Sequence, residues 1–224
     1  MRWSLPITLA VSLGCAAPAI ADPCPQSSIV VGSPSVPSSS TAPQYSACAP
    51  GSESFHPGFP FGQACARYDL VLGYVESNSY TPNGNGSAPG AVRAVDEYRV
   101  VGPTAGQPVT VTARLTYTLL GSVQSPEGSG YAWVEFIFAS DVRSAEGASG
   151  GGVLEHVIAT TSGTPFQLTL VARSAGSGAS GTATGQLSFA NVPAGYHVES
   201  CQGFNTGGTP TMPSSWGRLK AIYR

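Results

Sequence analysis

The stretch Val109-Thr110-Val111-Thr112-Ala113-Arg114-Leu115-Thr116-Tyr117-Thr118-Leu119 decides the fold. Apolar residues hold every odd position and polar residues every even one. A side-chain period of two is that of a strand with one buried and one wet face, and β-branched threonine suits the wet side of a pleated sheet. Phe166, Leu168, Leu170 and Ala172 repeat the pattern against Gln167, Thr169 and Arg173. Ala183, Gly185, Leu187 and Phe189 repeat it against Thr182, Thr184, Gln186 and Ser188. Further strands are expected at 67–76, 91–101, 130–139, 153–160, 196–201 and 216–223. In 130–139 the run Trp133, Val134, Phe136, Ile137, Phe138 leaves few polar positions, which predicts a central strand covered on both faces.

Between these segments lie Pro82 to Gly86, Gly147 to Gly152, Ala175 to Gly181 and Gly207 to Pro213, which read as turns and loops. No twelve-residue window sustains a helical period, and no fixed repeat marks a solenoid or propeller. The expected fold is all-β: one antiparallel β-sandwich over residues 65–224, jelly-roll-like, of about nine strands. Residues 22–64 differ. They carry eight of the nineteen prolines and ten serines, and read as a Pro/Ser-rich extension with one short strand at Ser27 to Val31. Within it Phe55, Phe59 and Phe61 alternate with Pro and Gly, as a strap over the core would.

The first 21 residues read as a signal peptide. Arg2 is the basic start, Leu5 to Ala17 an apolar run too short to span a bilayer, and Ala19-Ile20-Ala21 a small-x-small cleavage site. The rival is a lipoprotein anchored at Cys15, but Ser12 stands where that signal wants a branched apolar residue. The expected location is secreted or periplasmic. The chain runs to Tyr223-Arg224 with no apolar tail, so no C-terminal anchor is expected.

Beyond residue 21 there are nine basic and twelve acidic residues, and Lys220 is the sole lysine. That charge supplies no footprint for nucleic acid and no polybasic segment for anionic lipid. Four cysteines, Cys24, Cys48, Cys65 and Cys201, argue for two disulfides in an oxidising compartment. Of the three possible pairings, Cys24–Cys48 and Cys65–Cys201 are expected, the first stapling the extension and the second tying the first sandwich strand to a late one. No CxxC pair and no clustered histidine suggests a metal, and no cofactor is expected.

The segment Leu187 to Phe204 (LSFANVPAGYHVESCQGF) resembles the closing strand pair of uncharacterised exported bacterial β-sandwich proteins, many of which carry an exosortase sorting tail. Val100 to Val109 has a similar look. The resemblance covers about 66–204, implies a sandwich fold, and carries no catalytic residues. This chain lacks the Pro-Glu-Pro tail.

Catalytic constellations are thin. Gly147-Ala148-Ser149-Gly150-Gly151 matches G-x-S-x-G, but a hydrolase elbow needs a helix after it, and here strands flank it. His156 and His197 stand alone in strands. Asp96 and Glu97 are adjacent and so point to opposite faces. Glu135, if turned inward, would be a candidate acid, and the simpler reading pairs it with Arg114 or Arg173. Sugars stack on flat aromatic faces, and Tyr80, Phe204 and Trp216 are the candidate ligand-binding residues. The expected role is structural or interaction, with a glycan or an envelope or extracellular protein as partner. A carbohydrate-binding module is the alternative, and a hydrolase the more remote one.

Overall fold

The computed structural model describes residues 24–32, 36–53, 60–81, 86–123 and 129–206. The signal peptide with Cys15, the Phe55 and Phe59 part of the strap, the strand expected at 216–223 and Trp216 lie outside the described residues.

Fourteen strands form among the described residues: β1 (Ser27–Val31), β2 (Val36–Ser40), β3 (Gln44–Glu53), β4 (Pro60–Asp69), β5 (Tyr74–Tyr80), β6 (Gly86–Ser87), β7 (Gly90–Val101), β8 (Pro108–Val123), β9 (Ser129–Phe138), β10 (Asp141–Gly147), β11 (Ser149–Thr161), β12 (Pro165–Ser177), β13 (Ala179–Ala190) and β14 (His197–Ser200). They make two antiparallel sheets. The first runs β10-β9-β12-β7-β1-β2, with β14 also on β7. The second runs β11-β8-β13-β5-β4-β3-β6. The expected all-β antiparallel sandwich is the fold. From β7 onward every connection except β9–β10 crosses between the sheets, so sequence neighbours face each other across the core.

The alternation of β8 does what its pattern predicts. Val109, Val111, Ala113, Leu115 and Leu119 are buried against the first sheet. Phe136, Leu168, Leu170, Val92 and Val100 meet them from the other side. Each fully buried Val, Leu, Ile or Phe contributes about 1.5–3 kcal/mol. At one end Tyr98 lies 6.2 Å from Phe166, 5.6 Å from Phe189 and 5.8 Å from Phe204 in ring centroids. Ser77 of β5 and Ser174 of β12 share a buried hydroxyl hydrogen bond of 2.8 Å between the sheets.

Several expectations change. The described strands within 22–64 belong to the sandwich rather than to an extension outside it: β1 and β2 lie in the first sheet, β3 in the second, and the boundary expected at residue 65 falls inside β4. Serine and proline suit edge strands, which need few ladder hydrogen bonds on their outer side. The single strand expected at 67–76 is two strands joined by the turn 70–73, where Gly73 takes φ +68°. The strand at 130–139 is not central. β9 lies between β12 and the edge strand β10, and its outer residues Tyr131, Trp133, Glu135 and Ile137 are half-buried. The glycine-rich stretches at 147–152 and 175–181 are not loops but corners. Strands reach Gly147 and Ser177 in one sheet and resume at Ser149 and Ala179 in the other, with Gly178 at φ +58°. The sheets pinch together there. A Cβ on Gly130, Gly176 or Gly181 would fall 2.4–2.6 Å from a facing backbone carbonyl oxygen.

The two disulfides form, but with the other partners. Cys48 pairs with Cys65, and Cys24 with Cys201. Register decides the first: β3 and β4 are antiparallel neighbours and Cys48 stands directly opposite Cys65, with Cα atoms 4.1 Å apart. A seam decides the second. β1 pairs with residues 90–93 of β7 and β14 with residues 98–101, so both lie along the same side of β7 and meet end to end. Cys24 precedes β1, Cys201 follows β14, and the bond closes the joint.

Candidate functional site

The outer face of the second sheet carries the polar halves of its alternating strands. Register places Gln44, Asp69, Tyr74 and Gln186 in one row across β3, β4, β5 and β13. Ser46, Arg67, Glu76 and Thr184 form the next row, and Cys48, Cys65, Asn78 and Thr182 the one after. The hairpin turn 70–73 is what brings Arg67 and Glu76 opposite each other.

Glu76 is the hub of this face. Arg67 Nε donates to its Oε2, as does the Tyr74 hydroxyl at 2.9 Å, and Asn78 Nδ2 donates to Oε1 at 2.5 Å. Burial alone would raise the Glu76 pKa, but hydrogen bonds from Asn78, Tyr74 and Arg67 outweigh it and hold the carboxyl below its ordinary value. Burial raises the Tyr74 phenol, and its hydrogen bond to Glu76 raises it further. The Arg67 guanidinium lies over the Tyr74 ring, 5.2 Å from its centroid. Beside this network Gln44 Nε2 donates to Asp69 Oδ2 at 2.8 Å, and Gln186 Nε2 donates to the Leu72 carbonyl. Gln44, Ser46, Arg67, Asp69, Tyr74 and Gln186 help line a hollow of about 690 Å³. The arrangement offers an aromatic ring ringed by planar amide, guanidinium and carboxylate groups. An ionised, fully engaged Glu76 is a hydrogen-bond acceptor here and is not poised to give up a proton.

The ligand-binding residues expected from the sequence scatter. Tyr80 is 44% exposed on this same outer face of β5, three outward positions along from Tyr74. At about 3.3 Å per residue the two tyrosines are about 20 Å apart along the strand. Phe204 is a correction: it is 8% exposed, plugs the end of the core against Tyr98 and Phe189, and offers no platform. Its N–H bonds the Ser200 hydroxyl at 3.1 Å, which folds the turn after β14 inward. Trp216 lies outside the described residues.

The remaining polar residues are each engaged apart from one another. Glu135 faces outward with Arg173 3.8 Å away, the simpler of its two readings. Arg114 pairs instead with Glu155 at 2.7 Å. His156 is buried, with Nε2 2.9 Å from the Phe136 carbonyl and Nδ1 3.3 Å from Asp141. His197 lies 3.7 Å from Glu199. Ser149 opens β11 straight after the Gly147 corner, a strand-to-strand turn rather than the strand-to-helix turn of a nucleophile elbow. Asp96 points inward at the seam and is 1% exposed.

Among the described residues no helix is long and apolar enough to cross a membrane, and no group of three His, Cys, Asp or Glu stands close enough to hold a metal ion. The two disulfides fit an extracellular or periplasmic location. Comparison with protein-family models, with curated proteins and with solved structures finds no match.

Proposed function

We propose that this chain is an exported, non-catalytic interaction sandwich that binds a neutral polysaccharide along the outer face of β3, β4, β5 and β13. The observation that carries the reading is the Tyr74 ring set among Gln44, Arg67, Asp69, Glu76 and Gln186 at the mouth of the 690 Å³ hollow. A sugar ring presents an apolar face for stacking and a rim of hydroxyls that both donate and accept. Arg67 covers one face of the Tyr74 ring, so Tyr74 supplies the first through its other face, and the amide oxygens of Gln44 and Gln186, whose NH₂ groups donate to Asp69 and to the Leu72 carbonyl, supply acceptors for the second. Tyr80, farther along the same strand face, extends the platform for a chain of sugars. Export rests on the leader-like residues 1–21 and is supported by the two disulfides. It also accords with the resemblance of 187–204 to exported bacterial sandwich proteins.

Polysaccharide pull-down and a glycan array with the full chain test this reading. Retention by at least one neutral polymer is expected, with a loss of about tenfold or more in affinity for Tyr74→Ala. Silence across every polymer, with a folded protein confirmed by its spectrum, overturns it.

A further inference from the structure

The outer strands of the two sheets are not built alike. β2 has five residues and carries Pro37. β10 has seven and carries Asp141, Arg143 and Glu146. β3 carries Pro50 with a register shift after it, and β6 caps its end. Short length, proline, charge and a bulge each discourage a sheet edge from pairing further. β11 has none of these guards. It runs thirteen residues without proline, lysine or arginine, and its ladder to β8 is unbroken from Ser149–Leu120 to Thr161–Pro108. Its one acidic residue, Glu155, reaches back over its own sheet to Arg114 at 2.7 Å. Val153 and Val157 are 51% and 70% exposed on its outer face. One step beyond the ladder, Ser162 N–H bonds the Gln107 carbonyl at 2.8 Å. Hydrogen-bonded pairs alternate along an antiparallel ladder, so the even-numbered residues of β11 bond β8. The odd-numbered ones from Val153 to Thr161 turn their N–H and C=O groups outward, where no described strand meets them.

We propose that β11 pairs with β11 of a second copy of this chain, antiparallel about a two-fold axis at Val157, so that the second sheet continues across a dimer. An antiparallel edge is complementary to itself, because each residue with outward donor and acceptor meets another of the same kind. Side chains place the axis. Centred on Val157, the ladder sets Val157 against its own copy, Glu155 against the partner's Ala159, and Val153 against the partner's Thr161. The most exposed valine is then covered, no like charges meet, and the paired segment 153–161 is the β-branched part of the strand. Centred on Glu155, two carboxylates would face each other. Centred on Val153, Gly150 to Gly152 would enter the ladder. The guarded edges offer β11 no match, so the pairing closes at two copies. The described ends of the chain are far from it: Cys24 precedes β1 and Thr206 bonds Val198 of β14, both across β7 from β12, whereas β11 lies beside β10 at the other end of the sandwich. The inference does not depend on the glycan reading, which uses β3, β4, β5 and β13.

Light scattering of the full chain at micromolar concentration is expected to give twice the mass of one copy. Val157→Lys sets two ammonium groups against each other at the axis and is expected to weaken association about tenfold or more. The side chain it replaces is exposed, and a circular dichroism spectrum checks that the variant is folded. Leu120→Lys removes a similarly exposed apolar side chain from the neighbouring strand and is expected to leave the dimer intact. A short bifunctional thiol reagent is expected to join Val157→Cys to its copy. It is not expected to join Val153→Cys, whose two copies lie eight residues, about 26 Å, apart along the strands. The wild-type mass and the cysteine variants stand even if Val157→Lys does not fold. A chain that stays monomeric at every concentration overturns the proposal. So does a dimer that survives Val157→Lys, one lost equally in Leu120→Lys, or one that is joined through Val153→Cys instead of Val157→Cys.

Discussion

The two places where this sandwich interrupts its own sheets are built in opposite ways. At the corner, β12 becomes β13 and β10 becomes β11, and the chain itself carries the sheet across. Glycine makes that possible, because backbones approach so closely at Gly130, Gly176 and Gly181 that no Cβ fits. At the seam, β1 and β14 abut along β7 with no chain between them, and side chains do the joining. The Ser27 hydroxyl accepts the Val95 N–H at 2.9 Å. Cys24–Cys201 closes the joint covalently. An interruption crossed by the backbone is held by shape; one crossed by side chains is held by specific bonds. The two should fail differently.

The largest expected effect is at the seam. Converting both Cys24 and Cys201 to Ser opens a closure of 177 residues, worth about 5 kcal/mol on the chain-entropy account. The same change at Cys48 and Cys65, which close 17 residues, is expected to cost about 3 kcal/mol. Guanidinium unfolding of the two double variants compares them. A larger loss from the short closure would mean that the seam is held by something other than its disulfide. Next comes the corner. Gly181→Val forces side-chain atoms against the Tyr131 and Ala175 carbonyl oxygens, which already lie 2.5 and 3.0 Å from an ideal Cβ. A loss of about 3 kcal/mol is expected in the same assay, with the disulfides intact. A neutral result would mean the corner can open without loss.

These differences also mark what sequence can and cannot reveal. The threonine alternation of 109–119 specifies a strand and its buried face because both are local. The glycine clusters are visible as breaks, but a corner and a loop have the same composition, and only the facing backbone distinguishes them. The seam joins residues that lie far apart in sequence, and no local pattern reports that β1 and β14 share one side of β7. Cysteine count gives two disulfides, whereas the partners depend on the β3–β4 register. The candidate glycan face is hidden for a similar reason. Read as one strand, 67–76 puts Arg67 and Glu76 on opposite faces; Gly73 and its turn bring both to one face. Tyr80 is legible by its outward parity on β5. Phe204 is not, because a turn residue following a cysteine carries no sign that the chain folds back into the core.

Asp96 gives the finest comparison, because it is a carboxyl set inside the seam where the corner has only backbone and small side chains. Its Oδ1 accepts the Glu97 N–H at 2.8 Å, and its buried Oδ2 has no hydrogen bond of normal geometry. Burial pushes its pKa up from 3.8 to about 6, opposed by the Ser200 hydroxyl and the amides of Glu97 and Gln202. Between about pH 4 and pH 6 the folded protein therefore keeps a proton that the unfolded chain has released. The stabilising proton is lost as pH rises through 6, so from this group alone stability falls by up to about 3 kcal/mol between pH 4 and pH 7. Asp96→Asn keeps the shape, removes the titration and is expected to raise stability at pH 7 by about 2 kcal/mol. Thermal melts of both proteins from pH 4 to pH 8 measure the difference. Parallel stability profiles would show that Asp96 is ionised in the seam with bonds to spare. Converging profiles toward pH 4 would show that the side-chain joint, unlike the glycine corner, responds to protons.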